Sequence, residues 1–155
     1  MQDTPSKTHA VEATLRVRSY ELDPYDHVNN GAYLSWFEDE REHFLRAQGR
    51  DYKWYPRTMD LWFVVAHLAC DYLEAAVSGD VLRITTRLAR LGTSSVLFRQ
   101  CVFHGTTGRP MARAKVVMCF SRDGASAPIP DDFLERFAVD PGGDVWLPSE
   151  GGRRG

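Results

Sequence analysis

A chain of 155 residues, 43% apolar and 26% charged, with a net charge of −2, has the make-up expected of one globular domain with a sizeable core. Its 19 basic and 21 acidic residues exclude the basic excess of a nucleic-acid footprint. No apolar run approaches the roughly 18 residues of a membrane span.

Residues 1–10 are polar, lack the apolar core of a signal peptide, and read as a disordered lead-in. Val11 to Tyr20 alternates, with Val11, Ala13, Leu15 and Val17 on one side and Glu12, Thr14, Arg16 and Arg18 on the other, which predicts a half-buried strand. A loop over 21–29 follows, in which Pro24 bars helix propagation. Residues 30–48 have helical spacing, with Tyr33, Leu34, Phe37, Phe44 and Leu45 on one face. Glu38, Glu40, Arg41 and Glu42 read mostly as a solvated face. Asn29 or Asn30 suits the N-cap, and Gly49 the stop.

Residues 50–58 read as an aromatic, irregular connection. Four strand-like runs then follow: Met59 to Leu73, Val81 to Leu91, Ser95 to Phe103 and Ala112 to Ser121. The turns between them, Ser78-Gly79-Asp80, Gly92-Thr93-Ser94 and 104–108, predict an antiparallel meander. Pro130 to Phe137 predicts a short helix. Residues 139–155 are rich in Gly, Pro and charge and read as a disordered tail, so the domain is expected over 11–138. One long helix laid across five strands is an α+β layer pair. Cys70, Cys101 and Cys119 are odd in number and lie in apolar stretches, which fits free thiols in a reducing cytoplasm.

The richest stretch is Glu21 to Phe37, an acidic, His- and Asn-bearing loop running into an aromatic helix. Its Asp23, His27 and Asn30 fall beside a helix N-terminus, a plausible place for carbonyl chemistry. Read blandly, Asp23 is a turn residue, His27 braces the loop or orients a substrate, and the asparagines cap the helix. Tyr33 divides evenly between core packing and substrate contact. Trp36, Phe37, Trp62 and Phe63 suit a core or interface better than a pocket, and His67 reads as a core histidine.

This stretch resembles the opening motif of the hotdog-fold acyl-CoA thioesterases of the 4-hydroxybenzoyl-CoA thioesterase type. Glu21, Asp23, His27, Val28, Asn29, Asn30, Tyr33, Phe37, Glu38 and Arg41 stand at matching spacing. A softer second block is Val64-Val65 with Asp71-Tyr72-Leu73, then Gly79-Asp80, Leu88 and Ser95. The resemblance implies a long central helix wrapped by a five-stranded antiparallel sheet. It also implies a homodimer or homotetramer with active sites at the dimer interface, no metal, and no cofactor beyond the CoA of the substrate. In several members of that family the aspartate matching Asp23 is the catalytic carboxylate, so the resemblance implies Asp23 as nucleophile or general base.

Thioester hydrolysis needs such a group, a holder for the oxyanion and a dry acyl slot. The helix N-terminus, or a backbone N–H around Trp62 to Val64, would hold the oxyanion; Trp62 and Phe63 would line the slot, with His27, Asn30 and Tyr33 orienting the substrate. Arg90, Thr93, Ser94 and Ser95 stand where the family holds CoA, although the turn itself is neutral, and Arg90 or a partner's Arg57 would compensate. Two rival readings remain: a non-catalytic acyl-CoA-binding module, and a hotdog dehydratase or hydratase with His27 as base.

Overall fold

The computed structural model describes residues 6–142. Six strands form one antiparallel sheet in the order β1-β3-β4-β5-β2, with β6 paired to β5. They are β1 (Ala10–Arg16), β2 (Trp62–Tyr72), β3 (Val81–Leu91), β4 (Ser95–His104), β5 (Pro110–Arg122) and β6 (Ala125–Ser126). Helix α1 (Asn30–Arg46) packs against β1 and β3. Two short helices, α2 (Trp54–Met59) and α3 (Asp131–Arg136), complete the chain.

The inward faces follow the alternation of the sequence. Val96, Phe98, Gln100 and Val102 of β4 and Ala112, Ala114, Val116, Met118 and Phe120 of β5 are all buried. Helix α1 presents Tyr33, Trp36, Phe37, Arg41, Phe44 and Leu45, spaced by three, four or one along a stripe wider than 100°. Leu34, expected inside, is outward, and Trp36 takes its place. Phe44 meets Phe98 edge-on at 5.1 Å. Phe63 stacks on Phe120 at 4.2 Å, and Phe133 meets both edge-on. These rings seal the end of the sheet beyond the helix. Fully burying each contributes roughly 1.5–3 kcal/mol.

The four-strand meander is corrected by the topology. β3, β4 and β5 do meander, but β2 pairs with β5 and lies at the far edge. Gly79, at φ +86, makes the turn its sequence signals. The strand it closes onto is the first one: its amide donates to Val17 O at 3.1 Å, and the Val17 amide donates to Asp80 O at 2.8 Å. Residues 73–80 therefore cross the whole sheet, from Met111 at the end of β5 to Val17 beyond β1. On the way the Ala76 carbonyl accepts from Val28 N at 2.9 Å, which ties the crossing to the loop over 22–28.

Other boundaries move for local reasons. The first strand stops at Arg16 because Ser19–Glu21 winds into a 3₁₀ turn. Residues 54–59, read as irregular, are helical, since Tyr55 must turn inward to meet Phe120 and Phe133. Asp60, at φ +50, ends that helix before β2 starts. Residues 6–10 of the expected lead-in are held: Thr8 bonds Arg136 O and Ala138 N, and Ala10 belongs to β1. The rest of the lead-in and tail, 1–5 and 143–155, lies outside the described residues. The three cysteines are free, with Cys101 buried and the other two half-buried.

Asp132 fastens α3 to the body. It accepts from Arg50 Nη2 at 2.6 Å, Arg136 Nε at 3.0 Å and the Tyr55 hydroxyl at 3.0 Å. The Arg50 guanidinium leads in holding its carboxyl down at about 2. A carboxylate with a lowered folded-state pKa contributes stability above its unfolded value near 4 and loses it as the pH falls toward 2. Asp132→Ala should cost about 2 kcal/mol in urea unfolding at pH 7. The gap between variant and wild type should close as the pH drops from 4 to 2.

Candidate active site

The loop over 22–28 is closed at its base and braced from within. Leu22 and Val28 form an antiparallel bridge. Glu21 O accepts both the backbone amide of Asn29 (2.8 Å) and its side-chain Nδ2 (2.9 Å). The Glu21 carboxylate is buried, 7% exposed, and takes Arg18 on both oxygens and Trp36 Nε1 at 2.8 Å. Arg18 leads in holding it down at about 2. Glu21, which the motif supplied without a role, thus pins the loop to the helix.

Asp23 Oδ1 accepts from the amides of Tyr25 (2.8 Å) and His27 (3.2 Å), an Asx turn. Asp26 sits in the left-handed region at φ +62 to complete it. No donor among the described residues meets the second oxygen, Oδ2. One oxygen therefore shapes the loop while the other meets no protein donor among the described residues. The expected bracing by His27 is made by its backbone; its ring is exposed and makes no hydrogen bond among the described residues.

Asn29, not Asn30, is the N-cap of α1, with Oδ1 accepting from Ala32 N at 2.8 Å. That leaves the Asn30 and Gly31 amides at the helix start without intrahelical acceptors. Asp23, His27, Asn30 and Tyr33 line one shallow cleft of about 270 Å³, closed by residues 72–75 at the end of β2. Tyr33 does both expected jobs: it is 3% exposed, packs edge-on against Trp36 and Tyr72, and still lines the cleft. Burial pushes its phenol up to about 12, so it stays protonated at neutral pH.

Trp62, Phe63 and Val64 do not join this cleft within one protomer. They line a second, largely apolar cavity of about 630 Å³ with Glu38, Arg41 and Tyr52. Arg41, read as part of a solvated face, is 3% exposed instead. Its Nη1 donates to Gln100 Oε1 at 2.9 Å, while Gln100 Nε2 donates to Phe37 O and Thr86 Oγ1. Gln100, inward on a strand of apolar neighbours, was the available signal that this helix face carries a polar partner.

Arg90 and Ser95 meet in a third depression, with His67, Gly92 and Lys115. His67, expected in the core, is exposed there, since β2 is an edge. Thr93 and Ser94 do not line this depression; their carbonyls accept from Ile129 N and Phe120 N, both at 2.9 Å, and fix the turn to β5 and to the segment before α3. Among the described residues no cluster of three or more His, Cys, Asp or Glu could hold a metal ion.

Residues 17–137 match the model of the thioesterase-like superfamily. The chain belongs to that superfamily. It is a hotdog-fold thioester hydrolase. It is 31% identical over 106 residues to the long-chain acyl-CoA thioesterase FadM of Escherichia coli, covering 68% of this chain and 79% of that one. A thioesterase from Thermus thermophilus, complexed with coenzyme A and zinc, superposes with a TM-score of 0.69 at 30% identity, over 81% of this chain and 90% of its own. The 4-hydroxybenzoyl-CoA thioesterase of Pseudomonas sp. strain CBS-3 shares the hotdog fold at a TM-score of 0.75 and 19% identity, over 82% and 98%.

In this thioesterase the Asp23 carboxylate should be separable as loop brace and as chemical group. Asp23→Ala removes the one oxygen that accepts from both amides and should speed exchange at Tyr25 and His27 about tenfold. Asp23→Asn keeps an Oδ1 acceptor and should leave both amides near their wild-type rates. Hydrogen-exchange NMR reads the two variants side by side.

Proposed function

We propose that the chain hydrolyses acyl-CoA thioesters, with Asp23 as the catalytic carboxylate. The observation that carries this reading is the unpartnered Oδ2 of Asp23 in the cleft it shares with Asn30, the first residue of α1. The helix start favours negative charge, so a thioester carbonyl placed there is polarised and its tetrahedral oxyanion more so. Oδ2 then attacks the carbonyl carbon, the C–S bond breaks, and water cleaves the resulting anhydride. Alternatively Oδ2 takes a proton from the attacking water and the thiolate leaves. Either route turns thioester and water into carboxylic acid and thiol. His27 and Asn30 orient the substrate, Tyr33 walls it in, and neither a metal nor a further cofactor takes part.

Two copies complete the site. β2 is an 11-residue edge strand whose Trp62, Val64, Val65 and Tyr72 are all exposed, an unprotected edge of the kind that recruits another strand. Antiparallel pairing of β2 with itself about its midpoint, His67, sets Tyr72 of one copy beside Trp62 of the other. The Asp23 cleft lies at the first of these positions and the apolar cavity at the second. Asp23 of one protomer then faces an acyl slot walled by Trp62, Phe63 and Val64 of the other. The phosphates of CoA fall to Arg90, Ser95, Lys115 and His67, which supply the charge that the 92–94 turn lacks. The dimer acts in the cytoplasm.

Thiol release from short, long and aromatic acyl-CoAs tests the assignment. Asp23→Asn should lower kcat by about 10²–10⁴-fold with an unchanged melting curve. Full activity in that variant would remove Asp23 from the chemistry.

A further inference from the structure

The outward face of the sheet carries a row of like charges. Arg87 of β3 stands directly opposite Arg99 of β4, and Arg99 directly opposite Lys115 of β5. Each alternates with buried neighbours, Thr86 and Leu88, Phe98 and Gln100, Ala114 and Val116, so all three point away from the core. The row ends in alanine on both sides, Ala10 of β1 and Ala69 of β2, so no carboxylate stands in it. The outward positions of β1 to β5 hold two carboxylates, Glu12 and Asp71, and these pair with Arg83 and Arg113 in other rows. Like charges directly opposite one another destabilise a sheet. Keeping this face soluble needs no such row, since charges of both signs would do so without the repulsion.

The row is continuous with the depression that holds His67, Arg90 and Ser95, because Lys115 belongs to both. Adjacent strands lie roughly 4.8 Å apart, so the row spans about 10 Å and presents two gaps between cations. One phosphate group fills one gap. Two gaps call for a ligand with phosphate groups at two stations. Coenzyme A is such a ligand: a pyrophosphate continues its pantetheine arm, and a separate phosphate sits on the ribose beyond it.

We propose that Arg99 and Arg87 are specificity-determining residues that hold the 3′-phosphate of the CoA arm, while Lys115 and the depression beside it take the pyrophosphate. This rests on the acyl-CoA reading for the ligand and is testable by binding alone. It adds a selectivity to that reading: the chain favours a CoA thioester over one whose arm lacks the 3′-phosphate. The arm then runs from β2, the strand beside the acyl slot, over β5 and β4 toward β3. A guanidinium meets a phosphate with two parallel hydrogen bonds, so arginine at the outer gap suits a terminal phosphate group.

The full chain carrying Asp23→Asn, which should bind with little turnover, is titrated calorimetrically with octanoyl-CoA and with octanoyl-3′-dephospho-CoA. The two ligands differ by one phosphate group. Octanoyl-CoA should bind at least about tenfold more tightly. Arg99→Gln and Arg87→Gln in the same background should each cut that preference, and the double variant should abolish it while binding of the dephospho ligand persists. Arg99→Lys should keep part of it. Circular dichroism checks the fold; should the double variant fail to fold, the single variants are decisive. Equal affinities, no binding of either ligand, or an undiminished preference in the arginine variants overturns the inference. Thiol release by the wild type is followed in parallel with both ligands. Preference without hydrolysis would sink the catalytic reading and leave the inference standing; hydrolysis without preference would do the reverse.

Discussion

The Glu21 carboxylate is the interaction on which the rest of the site depends. It is almost fully buried, and the Arg18 guanidinium and the Trp36 indole fill its acceptor positions. Trp36 stands two turns inside α1, so this single group fixes the loop's entry to the body of the helix. The Glu21 carbonyl then receives Asn29 twice, which closes the loop on itself at the point where the helix begins. Asn29 in turn caps Ala32. Glu21, Asn29 and the first turn of α1 therefore form one continuous chain of hydrogen bonds, with Asp23 suspended across it. Since the carboxyl is held down at about 2, this clamp stays ionised throughout the range in which a thioester is stable.

Local patterns carried most of the fold. The alternation over 81–91, 95–103 and 112–121, the spacing of α1 and the capping signals before α1 and α3 all mark real elements, because each depends only on neighbours along the chain. What they could not carry is partner choice. Ser78-Gly79-Asp80 is a genuine turn, but a turn signal states that the chain reverses, not which strand it returns to. Val17 takes the place that β2 was expected to fill, and β2 is displaced to the edge. That displacement explains why β2 reads as a core strand and is nonetheless exposed. Its outer face leaves Trp62, Val64, Val65 and Tyr72 exposed.

The site was legible to the same degree. Asp23, His27, Asn30 and Tyr33 stand together because they are close in sequence and one clamp holds them. Trp62 to Val64 do not join them, because they line a separate cavity at the other end of β2. Arg41 was misread for a different reason. Helical spacing ranks positions by the company of apolar residues, and an arginine three residues from a glutamate looks solvated. Its true environment is set by Gln100, 59 residues away on β4.

These two misreadings meet at the same place. A chain that buries an arginine against a glutamine, rather than a carboxylate, accepts a cost. It accepts a second one by leaving an apolar strand at a sheet edge. The arginine is not idle in the packing of α1: with Gln100, which also holds Phe37 O and Thr86 Oγ1, it binds the helix to β3 and β4. Both costs lie along one cavity, with Arg41 at its floor and β2 at its wall. The two ends of β2 thus differ: the Tyr72 end borders the cleft that holds Asp23, and the Trp62 end borders the apolar cavity that Arg41 lines.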